Sequence, residues 1–133
     1  MKALVVAGGI PQIELIKQLK GRDVHTILVD GSANAVARPY ADTYYQADIF
    51  DIDAVTDIAK KEVVDFVITV CADQVLLVVA EVSERLGLPC YIDAETARDV
   101  SDKIRMKKIF KKCGVPTADY VETSHFDLKA ISH

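Results

Sequence analysis

The feature that most constrains this chain is a recurrence of short, largely apolar runs, each followed by a segment of helical period. Residues 2–7 (KALVVA), 25–29 (HTILV) and 65–70 (DFVITV) carry apolar side chains at successive positions. Such a strand leaves no face for water, so it belongs in a parallel sheet covered by helices on both sides. Between the first two runs, Ile13, Ile16 and Leu19 recur at helical spacing, with Pro11 in the first turn and Gly21 at the end. Residues 32–51 are polar and aromatic with little periodicity, and predict mainly loop with a short extended piece near Tyr44 and Tyr45. Beyond them the pattern predicts a helix over 53–61 capped by Asp51 or Asp53. A helix over 73–86 stopped by Gly87 follows the third strand. A short strand at 90–92, helices over 95–101 and 102–113, and a strand beginning at 120–122 complete the order. This alternation predicts an α/β, Rossmann-like parallel sheet with helices on both faces and right-handed crossovers.

Charge and cysteine content narrow the function classes. A formal net charge of −4 argues against a general nucleic-acid or acidic-membrane binder. No apolar run approaches the roughly 20 residues of a membrane span, and Met1 and Lys2 lead straight into the first strand, leaving no room for a signal peptide. Cys71, Cys90 and Cys113 are odd in number and form no C-x-x-C pair, which suits reduced thiols in a cytoplasmic protein. His25, His125 and His133 are too scattered for a metal site.

Three constellations could carry chemistry. The first is the turn Ala7-Gly8-Gly9, where a strand runs into a helix. A dinucleotide fingerprint would need G-x-G-x-x-G, and here the third glycine is missing. Asp30 nevertheless lies 22 residues after Gly8, at the end of the second strand, where a ribose-binding acid would sit. The amides of Gly8 and Gly9 could hold an anionic group at the helix start, or the turn could be tight with no ligand. The second is Thr69-Val70-Cys71-Ala72-Asp73-Gln74, at the end of a later strand. Asp73 reads as a helix N-cap, Gln74 with Gln12 as readers of a polar substrate group, and Cys71 as a buried structural thiol before a nucleophile. The third is SDKIRMKKIFKKCGVP, in which Met106, Ile109, Phe110 and Cys113 make a narrow apolar stripe flanked by lysines. Lys103 stands in the first helical turn, where a cation opposes the helix dipole. A nucleotide phosphate would explain it.

The helix over 73–86 raises a separate question. Val75, Val79, Val82 and Leu86 make its core stripe, yet Leu76, Leu77 and Ala80 lie outside that stripe. A second packing surface is expected there, either a homodimer interface through this helix or a missing domain.

Taken in order, LVVAGGIPQIELIKQLK, TILVDGSANAVARPYADTYYQADIFD, VDFVITVCADQVLLVVAEVSERLGLP and ETARDVSDKIRMKKIFKKCGVPTADYV resemble the amino-terminal region of ATP-grasp ligases. The carbamoyl-phosphate-synthase-like carboxylate–amine subgroup is the most similar. The closing segment resembles that family's D-K-x-x-M/F…G-V/I-P-T/V-P junction. The resemblance covers residues 1–122. It implies a pre-ATP-grasp domain over residues 1–93, then linker helices and the start of an incomplete ATP-grasp domain over 94–133. The substrate-binding candidates are then Gly8, Gly9, Gln12, Asp30, Asp73 and Gln74, and the ATP-binding candidate is Lys103. No catalytic residue and no metal ligand is assigned.

Enzymes of this family use ATP and Mg²⁺ to activate a carboxylate as an acylphosphate, which an amine then displaces. They continue through a second lysine, a glycine-rich lid and late Glu/Asn metal ligands, none of which occurs up to His133. The isolated chain is therefore expected to bind neither cofactor tightly and not to catalyse ligation. A small-molecule carboxylate or amine is the expected substrate, and an ATP-grasp domain in cis or in trans the expected partner. The apolar pattern of Phe126, Leu128 and Ile131, which nothing completes, favours a piece of a longer gene product. The alternative is a stand-alone Rossmann-like module binding NAD(P), another nucleotide or a small molecule.

Overall fold

A computed structural model describes residues 1–120 of the chain. Four strands, β1 (Lys2–Val6), β2 (His25–Asp30), β3 (Thr43–Gln46) and β4 (Phe66–Ile68), form one parallel sheet in the order β3-β2-β1-β4. Five helices accompany them: α1 (Ile10–Lys20), α2 (Ile52–Glu62), α3 (Leu76–Leu86), α4 (Ala94–Ser101) and α5 (Lys103–Lys112).

Successive residues of a strand point to opposite faces, and both faces here are dry. Leu4, Val6, Ile27, Val29 and Val67 pack against Val55 and Ala59 of α2 and against Val79 and Val82 of α3. Ala3, Val5 and Leu28 point the other way, onto Ile16 and Leu19 of α1. Two-sided coverage is why the strands are continuously apolar in sequence, and the α/β fold expected from that pattern is the one observed. The short extended piece near Tyr44 is β3, paired in register with β2 from Ile27↔Thr43 to Asp30↔Gln46.

The helix ends follow local chemistry. Asp51 caps α2 by accepting the N–H groups of Asp53 and Ala54, Asp93 caps α4 through Thr96, and Asp102 caps α5 through Ile104 and Arg105. Gly87 ends α3 in the left-handed region at φ 63°, where a side chain would be strained.

Four expectations need correction. Cys71, read as a buried structural thiol, is exposed in the turn after β4. The strand expected at 90–92 does not form. Cys90 and Tyr91 are exposed, and the chain passes outside the sheet to place α4 on α3. The β-propensity of Cys-Tyr-Ile is overridden in the short connection from α3 to α4, which leaves the segment unpaired although β4 ends the sheet with a free edge. Asp73 is not an N-cap either. Its side chain caps nothing, and α3 proper starts at Leu76 after a single 3-10 turn at Asp73–Val75. Finally, the second apolar surface of the 73–86 helix is covered from within the chain, since Leu76, Leu77 and Ala80 pack with Ala94, Ala97 and Ile92. The apolar residues that suggested a homodimer through this helix thus have a partner in α4.

The strand expected at 120–122 lies, apart from Tyr120, outside the described residues, as do the tail pattern of Phe126, Leu128 and Ile131 and the histidines at 125 and 133. Among the described residues no helix is long and apolar enough to cross a membrane.

A clamp at the amino-terminal side of β3 sets an acid limit on the fold. Asp42 accepts hydrogen bonds from the Lys20 ammonium at 2.6 Å, the Thr26 backbone N–H at 2.8 Å and the Thr26 hydroxyl at 2.9 Å. Burial alone would raise its pKa, but these donors together outweigh it and draw the carboxyl down from its ordinary 3.8 to about 2. A pKa depressed on folding means stability fully present above the unfolded value and lost as the carboxylate is protonated. The Asp42 contribution is therefore expected to disappear between about pH 4 and pH 2. Denaturant melts across that range should show Asp42→Asn with a shallower acid dependence than the parent chain.

Candidate functional site

The sheet order places a topological switch between β1 and β4. The connection from β1 leaves through α1 on one face, and the connection into β4 arrives through α2 on the other. Diverging loops open a crevice outside the carboxyl ends of two such strands, which is where open α/β sheets take ligands. A cleft of about 620 Å³ lies at this edge, lined by Ala7, Ile49, Phe50, Cys71, Ala72, Asp73, Gln74 and Val75.

Backbone geometry marks the same place. Ala7 and Cys71, which follow β1 and β4, both sit in the left-handed region, at φ 76° and 51°. Asp23 and Val63 share that conformation, but they follow helices, where a left-handed residue is an ordinary stop. At the end of a strand it carries a cost of about 1 kcal/mol that the surroundings must impose.

Those surroundings are visible. The buried Thr69 hydroxyl donates to the Val6 carbonyl at 2.7 Å, and the Gln12 side-chain amide donates to the Val70 carbonyl at 2.6 Å. Both bonds tie the end of β4 to β1 and to the first turn of α1. Gln12 is 2% exposed, so it braces the cleft from beneath and does not line it.

Gly8 and Asp30 likewise serve the scaffold. The Gly8 N–H donates to Asp30 Oδ2 at 2.7 Å, and the other carboxylate oxygen accepts the Ser32 N–H at 2.7 Å. Gly8 is buried beneath the loop after β2, with the Ala37 N–H on its carbonyl at 3.0 Å. Gly9 is exposed and begins α1, whose first turn has neither an acidic residue nor a side-chain cap.

Asp73 and Gln74 are exposed on the cleft wall. Asp73 uses its backbone carbonyl, which accepts the Ser101 hydroxyl at 3.2 Å. That bond brings the α4–α5 junction to the rim of the cleft. Lys103 lies two residues further on, exposed at the first position of α5. The structure thus gathers Asp73 and Gln74 in the cleft, sets Gly8, Gln12 and Asp30 beneath or behind it, and carries the segment of Lys103 to its edge.

Sequence reasoning missed Ile49 and Phe50, which reach the cleft from the loop between β3 and α2. Phe50 precedes the Asp51 cap and is 54% exposed. A large aromatic left open just ahead of a helix cap is the signal that would have found it.

Among the described residues no group of three or more His, Cys, Asp or Glu could hold a metal ion.

Comparison with known proteins places these features. No family model matches the chain. It is 30% identical over 120 residues to the 3-methyl-D-ornithine–L-lysine ligase of Methanosarcina barkeri, covering 88% of this chain and 32% of that protein. The chain thus spans about a third of the length of the curated relatives it matches. Among solved structures, phosphoribosylglycinamide synthetase from Anaerococcus prevotii superposes with a TM-score of 0.74 at 28% identity, over 85% of this chain and 29% of that one. An N5-carboxyaminoimidazole synthetase from Staphylococcus aureus, complexed with ADP, shares the fold with a TM-score of 0.66 at 16% identity, over 85% of this chain and 30% of that one. These relatives and neighbours are ATP-grasp ligases, and the match corresponds to their amino-terminal region.

Proposed function

We propose that this chain, similar over most of its length to the amino-terminal third of ATP-grasp ligases, supplies the acceptor-substrate wall of an ATP-dependent carboxylate–amine ligase. The observation that carries the reading is the cleft at the β1–β4 switch, with Asp73 and Gln74 on its wall and strained Ala7 and Cys71 on either side. Asp73 and Gln74 meet the substrate. Gly8, Gln12 and Asp30 hold the turns that shape the cleft, and Gly9 offers the start of α1 to an anionic group.

Residues 1–93 act as the pre-ATP-grasp domain, and residues 94–133 lead into the ATP-grasp domain, which works in cis or in trans. Lys103 meets a phosphate of ATP from the start of α5. Mg²⁺ is held by residues of that further domain. The M. barkeri relative's name joins two basic amino acids, which makes an amino acid the natural substrate class. A small-molecule carboxylate is activated by ATP, the amine attacks the acylphosphate, and phosphate leaves. In this scheme the present chain binds and orients and does not itself move the phosphoryl group.

The competing picture, a free-standing module, would hold NAD(P) or another nucleotide through Gly8, Gly9 and Asp30. The Gly8 amide and both Asp30 oxygens already have partners within the chain, which favours the ligase reading.

An ADP-release assay with Mg-ATP and a mixture of amino acids tests the proposal. The 133-residue chain alone is expected to release no ADP above buffer. The same chain joined to the product of its downstream coding sequence should release ADP in an amine-dependent manner. ADP release by the 133 residues alone would overturn the reading. So would a coding sequence ending at residue 133 with no ATP-grasp chain to join.

A further inference from the structure

The cleft has a chemistry of its own that narrows the ligand. Of its lining residues only Asp73 is charged, and no cation lines it. Among the described residues the Asp73 carboxylate caps no helix and enters no ion pair, while neighbouring acids such as Asp30, Asp51, Asp53 and Asp102 each hold a backbone N–H or an arginine. An exposed carboxylate at the mouth of a cleft repels an anionic group and attracts an ammonium. Besides the polar pair Asp73 and Gln74 the lining is mostly apolar, with Ile49 and Phe50 from the loop before α2 and Ala7, Ala72 and Val75 from the turns after β1 and β4. Phe50 remains 54% exposed there, a large apolar area available to a ligand's methylenes.

We propose that the cleft binds the ammonium-bearing end of an aliphatic amine, such as the side chain of a basic amino acid, with Asp73 as counter-ion and Phe50 against the methylene chain. The ammonium donates to the Asp73 carboxylate and to the Gln74 side-chain oxygen. The methylenes lie along Phe50 and Ile49, where an amphipathic chain buries its stem and keeps its head on the polar wall. This assignment rests on the cleft being a substrate site and adds which class of substrate enters it.

The assignment is tested on the 133-residue chain by following its backbone amide resonances during titration with L-lysine, L-norleucine and L-glutamate. Norleucine keeps most of lysine's methylene chain and its α-ammonium and α-carboxylate, and lacks only the side-chain ammonium, so the comparison reads that one group. Lysine is expected to shift the amides of residues 50 and 71–74 and to bind about fivefold more tightly than norleucine, the size of a partly exposed ion pair. Glutamate should bind more weakly than either. Asp73→Asn, at an exposed position, should erase the preference for lysine over norleucine. Phe50→Ala should weaken both about equally. If norleucine or glutamate matched lysine, or if the lysine preference survived Asp73→Asn, the ammonium assignment would fall while the cleft remained a substrate site. If none of the three compounds moved these amides, the substrate-site reading would fall with it.

Discussion

Gly8→Val is expected to destabilise the chain by about 2–3 kcal/mol, lowering Tm by roughly 10 °C, while Gly9→Ala should cost less than about 1 kcal/mol. The two glycines adjoin one another, yet they exist for different reasons. A Cβ at Gly8 would lie 2.7 Å from Ala35 Cβ and 3.3 Å from both Cβ and Oδ2 of Asp30. Neither neighbour can withdraw cheaply. Ala35 is 8% exposed in the loop that crosses the turn, and Asp30 holds the N–H groups of Gly8 and Ser32. A side chain at Gly8 therefore pushes apart the β1 turn and the loop after β2. A Cβ at Gly9 would meet only Gln12 Oε1 at 3.0 Å and a Pro11 carbon at 3.6 Å, so the Gln12 amide, held on the Val70 carbonyl, needs to give by only a few tenths of an ångström. Parallel thermal melts measure both. Equal losses for the two variants would show that Gly8 is not kept by close packing.

Ala97→Asp should separate α4 from α3 without unfolding the sheet. Ala97 is fully buried against Ala80, with Leu76 and Leu77 beside them. An unpaired carboxylate at such a position costs several kcal/mol, more than the docking of an eight-residue helix through small side chains can offset. The cheaper response is for α4 to leave, exposing Leu76 and Leu77. Hydrogen exchange should then show lost protection across α4 and α5, with β1 and β2 protected as before. Light scattering should show self-association through the uncovered face. Full protection of α4, or equal loss in the central strands, would contradict the covering role given to this helix.

The central strands were legible because two-sided burial leaves an unambiguous mark, successive apolar residues such as Leu4, Val5 and Val6. The cap at Asp51 and the stop at Gly87 are local events, decided within a few residues. What escaped depended on distant neighbours. Cys-Tyr-Ile at 90–92 has strand propensity, but propensity cannot know that the short connection from α3 to α4 leaves it unpaired beside the free edge of β4. The cover on α3 was missed because α4 packs through Ala94 and Ala97, residues too small to announce a hydrophobic stripe. Gln12 reads in the sequence as a partner of Gln74 for a polar substrate group. Only the fold shows that its amide turns inward to the Val70 carbonyl. Asp30 sat where a ribose-binding acid would sit, and the crossing loop turned it into a brace. In the cleft, Asp73 and Gln74 were legible as a strand-end pair, whereas Phe50 enters from a loop more than 20 residues earlier in the chain.

The central claim is that the β1–β4 edge holds the acceptor while ATP is met from Lys103 onward. Steady-state kinetics of the protein carrying the downstream coding sequence test it most directly, with Gln74→Ala and Lys103→Ala compared side by side. The account predicts that Gln74→Ala raises KM for the acceptor about tenfold, near 1.4 kcal/mol, and leaves KM for ATP unchanged. Lys103→Ala should do the reverse. Both substitutions moving the same KM, or neither moving any, would contradict it.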